Sequence, residues 1–231
     1  MSDVNWRLLI RRRDHTFQPP VPETTARFGV PNACTTCHDE RTPEWAATQM
    51  DAWWGDADRR AKSVSLAETM YRAGSGDASV LPALASLAVD RSQGLLVRAS
   101  AADYISRLIA EGRSGGSPRS RSKQSQTSFG DDVVADARPK TGLSPAVNTV
   151  AEVTPAIVNA MIGAASDPEP IVRAAALRAL GSTGERERVL APVLARLVDQ
   201  ARVVRVIAVG VLVSFGVVEL PGNAGEVLRR V

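Results

Sequence analysis

The sequence predicts an all-α fold: a short, loop-rich N-terminal segment followed by a helical-repeat solenoid with a disordered insertion. Three observations carry this expectation. From Asp58 onward the apolar residues recur at helical spacing in segments parted by Gly, Asp or Pro, with no strand-like alternation. Two-helix patterns recur at a fixed period. Aromatic residues make up only 4 % of the 231 residues while 44 % are hydrophobic, so the core is built from Ala, Val, Leu and Ile, whose small side chains suit close helix packing.

Along the chain, residues 1 to about 31 hold four prolines between Pro19 and Pro31 and read as extended and loop-like. The stretch "RTPEWAATQMDAWWG" reads as a helix with defined ends. Thr42 is its N-cap, Pro43 its first residue, Glu44 favours the positive end of the dipole, and Gly55 stops it. Trp45, Ala46, Met50, Trp53 and Trp54 are expected along one broad apolar face. Residues 58–111 and 155–231 are two helical blocks. The tract between them, residues 112–154, includes "GRSGGSPRSRSKQSQTSFGDD" and is too polar to bury a core, which predicts disorder. The domain organisation expected is therefore 1–57, 58–111, 112–154 and 155–231.

The helical blocks contain three related units. Each has an apolar helix ending at Asp90, Asp167 or Asp199, a short turn, and a second helix that opens on an apolar-Val-Arg run reaching Arg98, Arg173 or Arg205. The last two units are in strict register, thirty-two residues apart from Asp167 to Asp199 and from Arg173 to Arg205. The first has two more residues in its turn. One such pair of helices cannot bury its own apolar face, so neighbours must stack. The pattern "DPEPIVRAAALRALG" resembles HEAT repeats of the short bacterial type. That resemblance implies a solenoid in which the Asp braces the turn within a repeat and the Arg bonds to neighbouring turns. It also implies a concave surface for a partner protein.

Net charge is +3, with basic patches at Arg11 to Arg13 and between Arg113 and Lys123. No groove-reading motif accompanies either patch, so solvated surface is expected rather than nucleic-acid binding. No run of eighteen apolar residues exists, so no transmembrane span is expected. Leu8-Leu9-Ile10 is too short for the apolar region of a secretory signal, and the basic residues follow it.

The chemistry is concentrated in "PNACTTCHDE", which holds both cysteines of the chain and one of its two histidines. A thioredoxin-like dithiol would need a preceding strand and βαβ pattern. A zinc site would need four tetrahedral ligands, and Cys34, Cys37, His38 and His15 supply them only if the adjacent Cys37 and His38 reach one ion. A disulfide alone leaves His38 unexplained. Covalent haem attachment, for which Cys-x-x-Cys-His is the signature, uses all three residues of the motif: two thiols for the two vinyl groups and the next imidazole for the iron.

Residues 12–55, "RRDHTFQPPVPETTARFGVPNACTTCHDERTPEWAATQMDAWWG", resemble the final haem segment of bacterial multihaem c-type cytochromes. The resemblance implies haem c bound through thioethers from Cys34 and Cys37, with His38 as proximal iron ligand and His15 as distal ligand. Asp14 could orient the His15 ring, and Met50 is the fallback axial ligand. Trp45, Trp53 and Trp54 are candidates to pack on the porphyrin or to seal the junction with the first repeat, and Phe17 and Phe28 are candidates for the opposite wall of the haem. The implied function is electron transfer as part of a multihaem cytochrome, with a redox partner protein or upstream haem domains. A six-coordinate iron leaves no open site, so no catalysis is expected, and two histidine ligands favour a lower potential than His/Met ligation. Haem attachment implies a periplasmic location, although neither a signal peptide nor further haem motifs is present, which suggests the C-terminal part of a longer protein or a truncated gene product. A five-coordinate haem enzyme such as a peroxidase is one rival. The other is a non-redox scaffold whose Cys/His loop binds zinc or nothing.

Overall fold

A computed structural model describes residues 20–113 and 152–217, and the backbone of residues 3–6 and 10–13. Helices dominate, and the helical repeats expected from the sequence form. One two-stranded antiparallel hairpin departs from the all-α expectation: β1, Asp3–Trp6, pairs with β2, Ile10–Arg13, in a register that sets Asp3 opposite Arg13 and Trp6 opposite Ile10. The chain divides into two compact units, with the boundary between Glu68 and Thr69.

In the first unit the segment expected to be extended contains a helix, α1, Pro22–Phe28. Pro22 does not break it, because a proline in the first turn gives up only an N–H that has no helical partner there. Gly29 ends it with φ 66°. Then come α2, Ala33–Cys37, and α3, Pro43–Trp54. The capping of α3 follows the sequence: Thr42 Oγ1 accepts from Trp45 N at 3.3 Å, Pro43 opens the helix and Gly55 closes it at φ 58°. α4, Ala57–Gly74, crosses the unit boundary. The expected boundary at residue 57 is the start of α4. The observed one lies further along because the first half of α4 bonds to the elements before it. Arg60 Nε donates to Glu23 of α1 at 2.9 Å, and Arg27 of α1 pairs with Glu68 at 3.0 Å.

The second unit stacks three helix pairs. They are α5, Leu81–Val89, with α6, Leu95–Arg113; α7, Pro155–Ala164, with α8, Pro170–Thr183; and α9, Arg186–Leu194, prolonged by a 3₁₀ turn to Val198, with α10, Arg202–Ser214. One apolar cluster runs from Ala73 to Leu212, much of it alanine. α8 is the central helix. Val172, Ala174, Ala175, Ala176, Leu177, Ala179 and Leu180 are all buried, between α6 on one side and α10 on the other. Small residues permit this approach: a Cβ on Gly181 would sit 3.0 Å from a Val211 methyl. α6 extends past the expected end at residue 111 to Arg113, whose Nη1 donates to Ser182 O at 2.9 Å. The guanidinium lies across Gly184, φ 72°, where a Cβ would overlap it. The remainder of the insertion, residues 114–151, falls outside the described residues. It does not prevent α6 and α8 from packing directly.

The three repeat aspartates act alike. Asp90, Asp167 and Asp199 each accept, through Oδ1, the backbone N–H two residues on, from Ser92, Glu169 and Ala201, at 2.9 Å in every case. This local turn lets the chain reverse between the paired helices. The arginines of the first two repeats reach to the next one. Arg98 pairs with Asp167, and Arg173 holds Asp199 in a two-pronged contact at 2.8 and 2.7 Å. Arg173 also donates from Nη1 to the carbonyls of Asp167 and Pro168, at 2.8 and 2.9 Å. The longer first turn changes this geometry. Arg98 makes a single-pronged contact and its buried Nε finds no acceptor.

Burial pushes the Asp199 carboxyl up, but the bonds from Arg173 and Ala201 and the charges of Arg173 and Arg196 outweigh it, and the net shift is downward. A carboxyl lowered on folding stabilises above its unfolded value, 3.8, and loses that contribution as pH falls through its folded value. The stability gap between the parent chain and Asp199→Asn should therefore narrow on acidification from pH ~7 to ~2. Urea midpoints across that range check this; a constant gap would remove Asp199 as the titrating group.

Candidate functional site

The sequence "PNACTTC" folds as a capped helical turn. Asn32 is its N-cap: Oδ1 accepts from Thr35 N at 3.0 Å, and Nδ2 donates to Thr25 Oγ1 of α1 at 2.7 Å. Thr36 Oγ1 donates back to Asn32 O at 2.9 Å. These bonds bury Asn32 and tie α2 to α1. Asn32 was not among the residues expected to matter, although an Asn directly before "ACTTC" is a readable capping signal.

Cys34 and Cys37 occupy α2 three residues apart, and residues at that spacing face the same side of a helix. Both thiols are free; Cys34 is half-buried and Cys37 exposed. His38 follows at the C-cap. Its N–H donates to Cys34 O at 2.9 Å, and its carbonyl accepts from Arg41 N at 3.0 Å. The chain reversal after His38 sets its exposed ring against Trp45 of α3, with centroids 5.0 Å apart and planes tilted by 58°. The Arg41 guanidinium lies 5.6 Å from the Trp45 ring centroid. Two thiols on one turn and an imidazole at its end suit the double tether and axial nitrogen that haem c takes. Each of these groups also reaches the surface or its margin, where a cofactor can meet it.

The other expected site residues are distributed differently. His15 and Phe17 lie outside the described residues. Phe28 ends α1 and is half-buried. The broad apolar face expected on α3 is narrower than anticipated: Ala46 and Met50, one turn apart, are its buried positions. Met50 is thus a core residue of the first unit. Trp53 and Trp54 are each 64 % exposed and pack on one another edge to face at 5.3 Å. Among the described residues, no group of three or more His, Cys, Asp or Glu side chains is placed to hold a metal ion. No helix among them is long and apolar enough to cross a membrane.

Behind α2 the elements are held by an ionic cluster. Arg60, 1 % exposed, donates to Glu23 of α1, to Asp51 of α3 and to Asp56. These hydrogen bonds, that to Glu23 first, hold the guanidinium proton more firmly than usual. Asp56 is shifted down, chiefly by its bond from Arg59.

No curated protein and no solved structure matches the chain. Residues 146–212 match the family model of HEAT repeats, a span that takes in α7, α8, α9 and most of α10, so the stacked pairs of this stretch are similar to HEAT repeats.

Proposed function

We propose that the Cys34–His38 segment binds haem c covalently and that the protein carries electrons, with the HEAT repeats offering a surface to a partner. The observation that supports this most directly is the pair of free cysteines one helical turn apart, with His38 at the end of the same turn. The dense resemblance of residues 12–55 to multihaem cytochromes adds to it. Haem supplies a one-electron couple when bound. The chain's part is to hold it. Cys34 and Cys37 would hold it by adding their S–H groups across its two vinyl bonds, and His38 would offer an imidazole nitrogen to the iron. His15 is the proposed second axial ligand. Trp45 is placed to support the His38 ring, and the exposed Trp53–Trp54 pair offers aromatic surface to a cofactor or a partner. Maturation belongs in the periplasm, where haem attachment occurs.

The test is expression of the full chain in a periplasm with haem-attachment machinery. The expected product carries the mass of one haem, keeps its colour through acid–acetone extraction and has a low-spin spectrum. Cys34→Ala/Cys37→Ala should abolish the added mass, and His15→Ala should convert low-spin to high-spin iron. A colourless protein holding one equivalent of zinc would instead support a non-redox scaffold.

A further inference from the structure

Among the described residues, the ladder of arginines across the repeats has one unfilled position. Arg98, Arg173 and Arg205 are each the fourth residue of their helix. The first two grip the aspartate of the following repeat. Arg205 is held as Arg173 is: its Nη1 donates to the carbonyls of Asp199 and Gln200, at 2.8 and 3.1 Å, the same offsets at which Arg173 meets Asp167 and Pro168. Yet among the described residues no carboxylate takes its Nε and Nη2, the edge with which Arg173 holds Asp199.

The helix that carries Arg205 is also uncovered. Ala174 and Leu177 of α8 are buried, and Gly181 faces Val211 of α10. The positions of α10 in the same register are Val206, Val209 and Val213. Val206 is 47 % exposed, Val213 66 % exposed and Val209 only half-buried. An aliphatic strip therefore stands beside a guanidinium whose open edge is already fixed in the carboxylate-gripping pose. Such pre-organisation reduces the ordering cost of binding, and planar two-pronged recognition of a carboxylate is what a guanidinium does best.

We propose that the outer face of α10 docks a partner protein through a helical hairpin that presents an aspartate at its turn to Arg205, with aliphatic side chains against Val206 and Val213. The occupant is defined by what fills the equivalent place one repeat earlier: α9, the Asp199 turn and α10 itself. This inference does not depend on haem binding.

A synthetic peptide of residues 184–217, which carries that turn, is the probe; it is made with isotope-labelled arginine, so that its own Arg205 is told apart from that of the chain, and its helicity is checked by circular dichroism. Arginine modification of the intact chain by phenylglyoxal, mapped by mass spectrometry, is the readout, with anisotropy of the labelled peptide beside it. Arg205 should react while Arg173 and Arg98 stay protected. The peptide should then protect Arg205, and Asp199→Asn in the peptide or Arg205→Gln in the chain should weaken binding about tenfold or more. Val206→Asp should weaken it as well without altering the urea midpoint of the free chain. A protected Arg205 in the free chain would mean that the position is already filled and would overturn the proposal. So would a peptide that fails to protect, or one that protects equally with Asn in place of Asp199.

Discussion

Replacing Arg173 by Met is expected to destabilise the second unit by ~3–5 kcal/mol, the range found when one partner of a buried ion pair is removed. Arg173 and Asp199 are 12 % and 4 % exposed at their side chains. Their contact uses both prongs of the guanidinium, and a third nitrogen satisfies two carbonyls of the turn before α8. Without Arg173 the Asp199 carboxylate keeps the Ala201 N–H and the longer ion pair with Arg196 at 3.9 Å, and loses the guanidinium that is hydrogen-bonded to both its oxygens. The effect comes chiefly from that stranded carboxylate rather than from the attraction itself. It follows that Arg173→Met/Asp199→Leu should recover most of the loss, because replacing both partners by apolar groups is often neutral. Arg98→Met should cost less, since its Nε is already unsatisfied in the parent. Urea denaturation of the parent, two single variants and the double variant measures all of this. A loss below ~1 kcal/mol for Arg173→Met, the level of an exposed pair, would show that the ladder does not hold the repeats together.

What could be read from the sequence is what depends on near neighbours. The Asp turns were legible because an aspartate that accepts the N–H two residues on needs only its own tripeptide. The ends of α3 were legible for the same reason, since Thr42, Pro43 and Gly55 act within one turn. The strict register of the last two repeats announced the stacking. The partner of each arginine did not follow from it alone: Arg98 meets Asp167 across the whole insertion, and only a three-dimensional stack brings them together. α1 is hidden by the four prolines in and around it, which favour an extended reading, although Pro22-Glu23 before an Arg27-Gly29 ending is a start and a stop signal. The short hairpin was not legible because Val4 and Trp6 alternate over only four residues and the partner strand, Ile10–Arg13, is three-quarters arginine. At the candidate site, Cys34, Cys37 and His38 were readable as one local motif. The Trp45 contact depends on the reversal after His38. The exposure of Trp53 and Trp54 was not readable, because helical spacing identifies a shared face but not what covers it.

Arg60→Met should loosen the first unit by ~2–3 kcal/mol, somewhat below the fully buried case because Asp51 and Glu23 are partly open to water. Arg60 stands in an Arg-Arg pair, where a solvated side chain is the ordinary expectation, yet it is among the most buried residues of the chain. It is the fourth residue of α4, the place that Arg98, Arg173 and Arg205 take in theirs. Its guanidinium joins α1 through Glu23, α3 through Asp51 and the turn before α4 through Asp56. Removing it takes the shared cation from Glu23, Asp51 and Asp56, of which Asp56 keeps its bond from Arg59, and Glu23 already has an unsatisfied buried oxygen. Arg60→Lys should restore little, because a point charge on a flexible stem cannot bond three acceptors in a plane. Since α2 hangs from α1 through the Asn32–Thr25 bond, loosening α1 should also release the Cys34–Cys37 turn. Amide exchange at Thr35 and Cys37 should then rise in Arg60→Met, while amides of α8 stay as protected as in the parent. Unchanged exchange at α2 would show that the capped turn holds itself without the ionic cluster behind it.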